Sequence, residues 1–183
     1  MEFFQGIPLF KLVVERKVTS ENFAKHIFRQ ICSGIEHLHH LGIAHQDIKL
    51  ENIMVDKELS VKIIDLGSST RIHPEFVDSV TGSGVYKAPE VMSSSFHDGF
   101  LSDVFAAGVV LFCLVNGFFP FTKASKEDRF WALLQSGEHD EYWKALGNHR
   151  LSKSFKELVL SMLSPDPKKR PNFKEVLNHK WFI

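Results

Sequence analysis

The chain has 183 residues, 44% of them apolar, enough for one core that buries roughly 70% of the unfolded surface without metal or disulfide help. Lys plus Arg and Asp plus Glu both number 22, so the summed charge offers no attraction to nucleic acid or to an anionic membrane, and neither is expected as a partner. Cys32 and Cys113 each sit in an apolar helical pattern and not in a C-x-x-C pair, which argues against a redox or metal framework and for reduced core thiols in an intracellular, cytoplasmic or nuclear, compartment.

Met1 is followed by an acidic residue, not a basic region, so no secretory signal is expected. Phe23, Ile27, Phe28, Ile31, Ile35 and Leu38 recur at helical spacing after Thr19-Ser20-Glu21, and Gly42 supplies a stop, so one long amphipathic helix is predicted. Two β-rich pieces, Ile53 to Val55 and Val61 to Ile64, flank the polar Asp56-Lys57-Glu58 turn and predict a small hairpin. From Gly67 to Gly84 the chain is rich in Ser, Thr and Gly without a sustained period, which reads as a mobile segment.

Leu101 to Val115 is apolar on all sides, as a surface helix cannot be, and predicts a central buried helix. Its longest apolar run, Val104 to Val115, is broken only by Gly108 and falls short of the roughly 20 residues of a membrane span. Phe155, Leu158, Val159, Met162 and Leu163 give a one-sided helix that Pro165, Pro167 and Pro171 punctuate, and Phe173 to Leu177 begins a short last helix. No repeat or linker interrupts this order, so a single, mainly α domain is expected.

Three clusters carry chemistry: His45-Gln46-Asp47-Ile48-Lys49-Leu50-Glu51-Asn52, then Asp65-Leu66-Gly67, then Ala88-Pro89-Glu90. Alone, each residue has a bland reading, an Asp as a cap, an Asn as a turn former, a Gly as a hinge. Together, with Asp103 and Arg170 downstream, they resemble the catalytic loop, the metal-binding turn and the end of the activation segment of eukaryotic protein kinases, in family order. The resemblance implies a mainly α, protein-kinase-like C-terminal lobe with a small β-hairpin beside the catalytic loop, running from hinge to last helix over residues 1–183. Met1-Glu2-Phe3-Phe4 resembles the hinge, and the glycine-rich loop, the phosphate-pairing lysine and its glutamate partner have no counterpart, so an absent N-lobe is expected.

Residue by residue, Asp47 matches the catalytic base that orients the attacking hydroxyl, and Lys49 the cation of serine/threonine members that meets the phosphoryl oxygens. Asn52 and Asp65 match the Mg²⁺ ligands, and Gly67 gives the Asp-Leu-Gly turn its freedom. Ser83 lies where a hydroxyl bonds the catalytic Asp and Lys. For the adenine of ATP, the backbone of Glu2 and Phe4 matches the hinge and Met54 the apolar floor. Glu90 and Arg170 resemble the family's buried ion pair, Asp103 the aspartate that holds the catalytic-loop backbone, and His45 with Leu66 part of a spine of stacked side chains.

The pattern departs at Gln46, where phosphorylation-activated members carry arginine, so phosphorylation of Ser79 or Thr81 is expected to order the segment only weakly. Glu51 keeps one acidic position linked to arginine preference in substrates, whereas Pro8 and Cys113 replace others. Lys168-Lys169-Arg170 reads as part of the structural arginine motif, not as an import signal, and His37, His39 and His40 read as a solvated helix end, not a zinc site. Two functions follow: a serine/threonine kinase catalytic region using ATP and Mg²⁺ on protein substrates, nearest in pattern to calmodulin-dependent-kinase-like members, or a C-lobe that binds proteins without turnover. The second draws on an uncovered cleft floor at Met54 and Leu66, which invites an N-lobe or a partner as cover.

Overall fold

A computed structural model of the chain describes residues 4–16, 20–71, 77–78, 84–93, 96–147 and 150–183. Strand β1 (Ile7–Pro8) enters helix α1 (Leu9–Arg16), and the long α2 (Glu21–His40) follows, its first turn closed by the Ser20 hydroxyl, which accepts from the Phe23 N–H at 3.2 Å. Gly42, at φ 74, turns the chain out of α2 into β2 (Ile43–Ala44), β3 (Ile53–Val55) and β4 (Val61–Ile63). Next come β5 (Thr70–Arg71), β6 (Val77–Asp78), α3 (Pro89–Ser93), β7 (Phe96–His97) and the 18-residue α4 (Gly99–Asn116). Helices α5 (Arg129–Ser136), α6 (His139–Ala145), α7 (Lys153–Met162) and α8 (Phe173–Leu177) complete the described elements, with a last single turn at Lys180–Phe182.

Helix α4 explains the arrangement. It is buried along nearly its whole length, so its apolar surface is spent inside the fold against α2 and α7. Gly108 makes the α7 contact possible: a Cβ there would lie 2.9 Å from Met162 Cβ and 3.1 Å from Leu163 Cδ2. Asp98 caps α4 by accepting from the N–H groups of Phe100 and Leu101 at 2.9 and 3.2 Å. Behind it, Trp131, Trp143, Phe155 and Trp181 join one continuous core.

The expected hairpin is present, but β4 ends at Ile63 and not at Ile64. The Ile64 N–H instead donates to the Asn52 carbonyl at 2.9 Å, which ties the hairpin's open end to the catalytic loop. β1 pairs antiparallel with β3 (Ile7 with Val55, Pro8 with Met54), so the sheet has three strands, ordered β1-β3-β4. Two-stranded pairings of β2 with β5 and of β6 with β7 lie at the rim of the segment after the Asp65 turn. Most of that segment, residues 72–76 and 79–83, lies outside the described residues, and the expectation of mobility falls there.

Candidate active site

The catalytic loop hangs from one buried carboxylate. Asp103, 1% exposed in the first turns of α4, accepts from the backbone N–H of His45 at 2.8 Å through Oδ2 and from that of Gln46 at 2.7 Å through Oδ1. These bonds hold Gln46 at φ 61, a left-handed conformation uncommon outside glycine. The expected role of Asp103 is therefore met by geometry. His45 is fully buried, and its Nε2 lies 3.2 Å from the Ile64 carbonyl, a second tie between the loop and the Asp65 turn.

Asp47, Lys49 and Asn52 converge. Lys49 Nζ donates to Asp47 Oδ2 at 2.6 Å, and Asn52 Nδ2 donates to the same oxygen at 3.0 Å and to the Asp47 carbonyl at 2.9 Å. Both donors fall on Oδ2. The cluster is nearly dry, with side-chain exposures of 11% for Asp47 and 20% for Lys49, so its charge-assisted bonds are stronger than they would be in water. Tyr86 supports it from below: burial pushes its hydroxyl far above the ordinary range, so the group stays protonated, and its oxygen accepts from the Leu50 N–H at 3.4 Å.

Asn52 precedes β3 and Asp65 follows β4, so the antiparallel pairing of Ile53 with Ile63 brings both to one end of the hairpin. The left-handed residue of the turn is Asp65 itself, at φ 65, and not Gly67. Gly67 packs closely on that residue: its N–H donates to Asp65 Oδ1 at 3.2 Å, and a Cβ there would sit 3.1 Å from that oxygen. No group of three His, Cys, Asp or Glu converges among the described residues. Mg²⁺ does not need one, because it keeps several waters and takes one or two protein oxygens beside substrate phosphates. The exposed Asp65 carboxylate fits, as does Asn52, whose amide nitrogen is committed to Asp47 and whose remaining polar atom is a hard oxygen.

Met54 is half-buried on β3 opposite Pro8 of β1, and β1 continues from the Phe4 segment, so the expected floor and hinge adjoin. The Phe4 carbonyl accepts from the Gly6 N–H at 3.2 Å. Leu66 is 51% exposed and Ile64 37%, whereas His45 is fully buried. Glu2, Ser79, Thr81 and Ser83 lie outside the described residues. The ion pair is bidentate: Arg170 Nη1 and Nη2 donate to Glu90 Oε1 and Oε2 at 2.6 and 2.8 Å.

His39 was also misread from the sequence. His37 and His40 are solvated as expected, but His39 Nε2 lies 2.9 Å from Asp103 Oδ2, with its ring 4.5 Å from that of Phe100 and 5.2 Å from that of Phe173. Helical phase carried the missed signal, because His39 follows Ile35 by four positions on the buried face of α2.

Asp47 paired with Lys49, with Asn52 and Asp65 at the adjoining end of the hairpin, is an arrangement compatible with phosphoryl transfer. Comparison with known proteins agrees: the protein kinase domain family matches residues 1–182, and the chain belongs to that family, on its serine/threonine side. It is 34% identical over 98% of its length to the serine/threonine-protein kinase GIN4 of Saccharomyces cerevisiae, of which it covers 16%. It is 35% identical over its whole length both to the serine/threonine protein kinase OSK3 of Oryza sativa subsp. indica and to the SNF1-related protein kinase catalytic subunit alpha KIN12 of Arabidopsis thaliana, covering 35% of each. The chain thus spans about a third or less of these relatives.

Proposed function

We propose that the chain is the C-terminal lobe of a serine/threonine protein kinase catalytic domain whose cleft transfers the γ-phosphoryl group of ATP to a protein Ser or Thr hydroxyl. The observation that carries this reading is the convergence of Lys49 and Asn52 on Asp47 Oδ2. MgATP, when bound, supplies the phosphoryl group and the metal charge that neutralises its oxygens. Asp47 orients the substrate hydroxyl and accepts its proton at Oδ1. Lys49 stands at hydrogen-bond distance from that carboxylate, a compact positive charge able to meet phosphoryl oxygens. The Asn52 amide oxygen and the Asp65 carboxylate would hold Mg²⁺, and Met54 with the Phe4 N–H would receive the adenine.

The lobe assignment rests on the described parts: hinge strand, catalytic loop and helical core. The exposed Ile64 and Leu66 mark a cleft face that an N-lobe or a protein partner covers in the working enzyme, because nucleotide sites typically enclose about 70–90% of their ligand. Buried Cys32 and Cys113, whose thiols burial pushes well above the ordinary range, fit a reducing intracellular setting.

A phosphotransfer assay on a protein substrate with MgATP, run beside Asp47→Asn, tests the proposal. Loss of about 10²–10⁴ in kcat in the variant supports catalysis. Turnover in neither protein, with substrate binding retained in both, would establish the non-catalytic module instead.

A further inference from the structure

Among the described residues, four buried side-chain atoms have no hydrogen-bond partner: Gln46 Nε2, Gln46 Oε1, His97 Nδ1 and Trp143 Nε1. Three of them belong to two residues that line one cavity of about 20 Å³ beneath the catalytic loop, with Tyr86, Ser102 and Asp103 in the same wall. Gln46 is 9% exposed and His97 4%, so bulk solvent satisfies neither. Native proteins rarely leave buried polar groups unpaired, and three such atoms on two residues that line one small space point to a ligand there.

The ligand's chemistry follows from size and lining. A cavity of roughly 10–15 Å³ suffices for one water molecule, which typically makes about three hydrogen bonds to buried polar groups. An anion would face Asp47 and Asp103, which also line the cavity, and a neutral ligand fits that lining better. We propose that this cavity is a built site for a single ordered water molecule, which bridges the Gln46 carboxamide to His97 Nδ1 and ties the catalytic loop to the strand that precedes α4. The carboxamide offers one donor and one acceptor. Burial pushes His97 below the ordinary histidine range against the pull of Glu90, Asp98 and Asp103, so the ring is neutral and its Nδ1 takes whichever role the water leaves.

The bridge has a mechanical consequence. Gln46 is held in its left-handed conformation through the backbone N–H groups of His45 and Gln46 on Asp103, and it immediately precedes Asp47. The water fastens the side chain as well, so the residue beside the catalytic carboxylate is held at two points. This inference stands without the phosphoryl-transfer reading, since it concerns occupancy of the cavity.

A high-resolution crystal structure of the unmodified chain decides it. The expected result is one water about 2.7–3.2 Å from Gln46 and from His97 Nδ1. A dry cavity, or a direct bond between Gln46 and His97 without water, overturns the proposal. A thermal double-mutant cycle gives an independent arm. Gln46→Leu and His97→Phe should each lower the melting temperature by about 2–6 °C, and the double variant by clearly less than their sum, because the emptied cavity is then apolar and dry. Strictly additive shifts contradict a shared ligand.

Discussion

Asp103 accepts from two backbone N–H groups of the catalytic loop and pairs with His39, so its two oxygens tie the catalytic loop and the end of α2 to α4. Replacing His39 by Phe keeps the ring packing against Phe100 and Phe173 but strips one partner from a buried carboxylate, and such a loss costs about 1–3 kcal/mol. Urea unfolding of His39→Phe should show a destabilisation of that size. An unchanged midpoint would mean that the backbone donors alone satisfy Asp103. Helical phase marks His39 as inward-facing, but its partner was illegible in sequence because it lies 64 residues away on another helix. Asp47, Lys49 and Asn52 were legible because their chemistry is local: Asn52 reaches Asp47 across only five residues of one loop. The same locality hid the left-handed Asp65, where a glycine nearby drew the reading of the turn.

At the level of elements, α2, α4, α7 and α8 were legible because each shows a helical period or an all-round apolar surface strong enough to override local propensity. Helices α1, α3, α5 and α6 were not read, and the two-residue β1 becomes a strand only through pairing with β3. The close approach of α4 to α7 gives the sharpest test. Gly108→Val places branched carbon against Met162 and Leu163 and should cost about 1–3 kcal/mol by overpacking, read as a lowered urea midpoint with an unchanged slope. Wild-type stability in that variant would mean that α7 yields without cost.

Glu21 joins three elements in the same way. At the start of α2 it accepts from the Ser152 N–H and hydroxyl ahead of α7, at 2.7 and 2.6 Å, and from the Trp181 indole N–H at 2.8 Å. Burial would raise its pKa, but the hydrogen bonds from Ser152 and Trp181, with Lys25 nearby, outweigh that and hold it below the ordinary glutamate value. A depressed folded-state pKa contributes stability that is fully present above about pH 4.5 and is lost as pH falls through the lowered value. Glu21→Gln should therefore lose about 1–2 kcal/mol at neutral pH and show a shallower acid limb below about pH 4.5 in pH-dependent unfolding. A parallel acid limb in the two proteins would assign the acid sensitivity to other carboxylates.

For the whole molecule, one buried cation draws distant parts together. Arg170, whose side chain is fully buried, pairs with Glu90 at α3, donates to the Leu101 carbonyl in α4 at 3.0 Å and to the Ser164 carbonyl after α7 at 2.9 Å, and lies 4.9 Å from the Phe105 ring centroid. Stranding one member of such a pair costs about 3–5 kcal/mol, a large share of the roughly 5–15 kcal/mol that holds a domain together. Trp131, Trp143 and Trp181 all lie in the core that this arginine braces, so their fluorescence reports the same packing whose helices far-UV circular dichroism reports. If the described residues unfold as one unit, Arg170→Met lowers the denaturation midpoint in both signals by the same amount, and Glu90→Met with Arg170→Met recovers part of the loss, since no unpaired charge is then left inside. Separation of the two transitions, with the fluorescence change leading, would instead divide the molecule into an α5 to α8 unit that melts apart from the catalytic loop and its sheet.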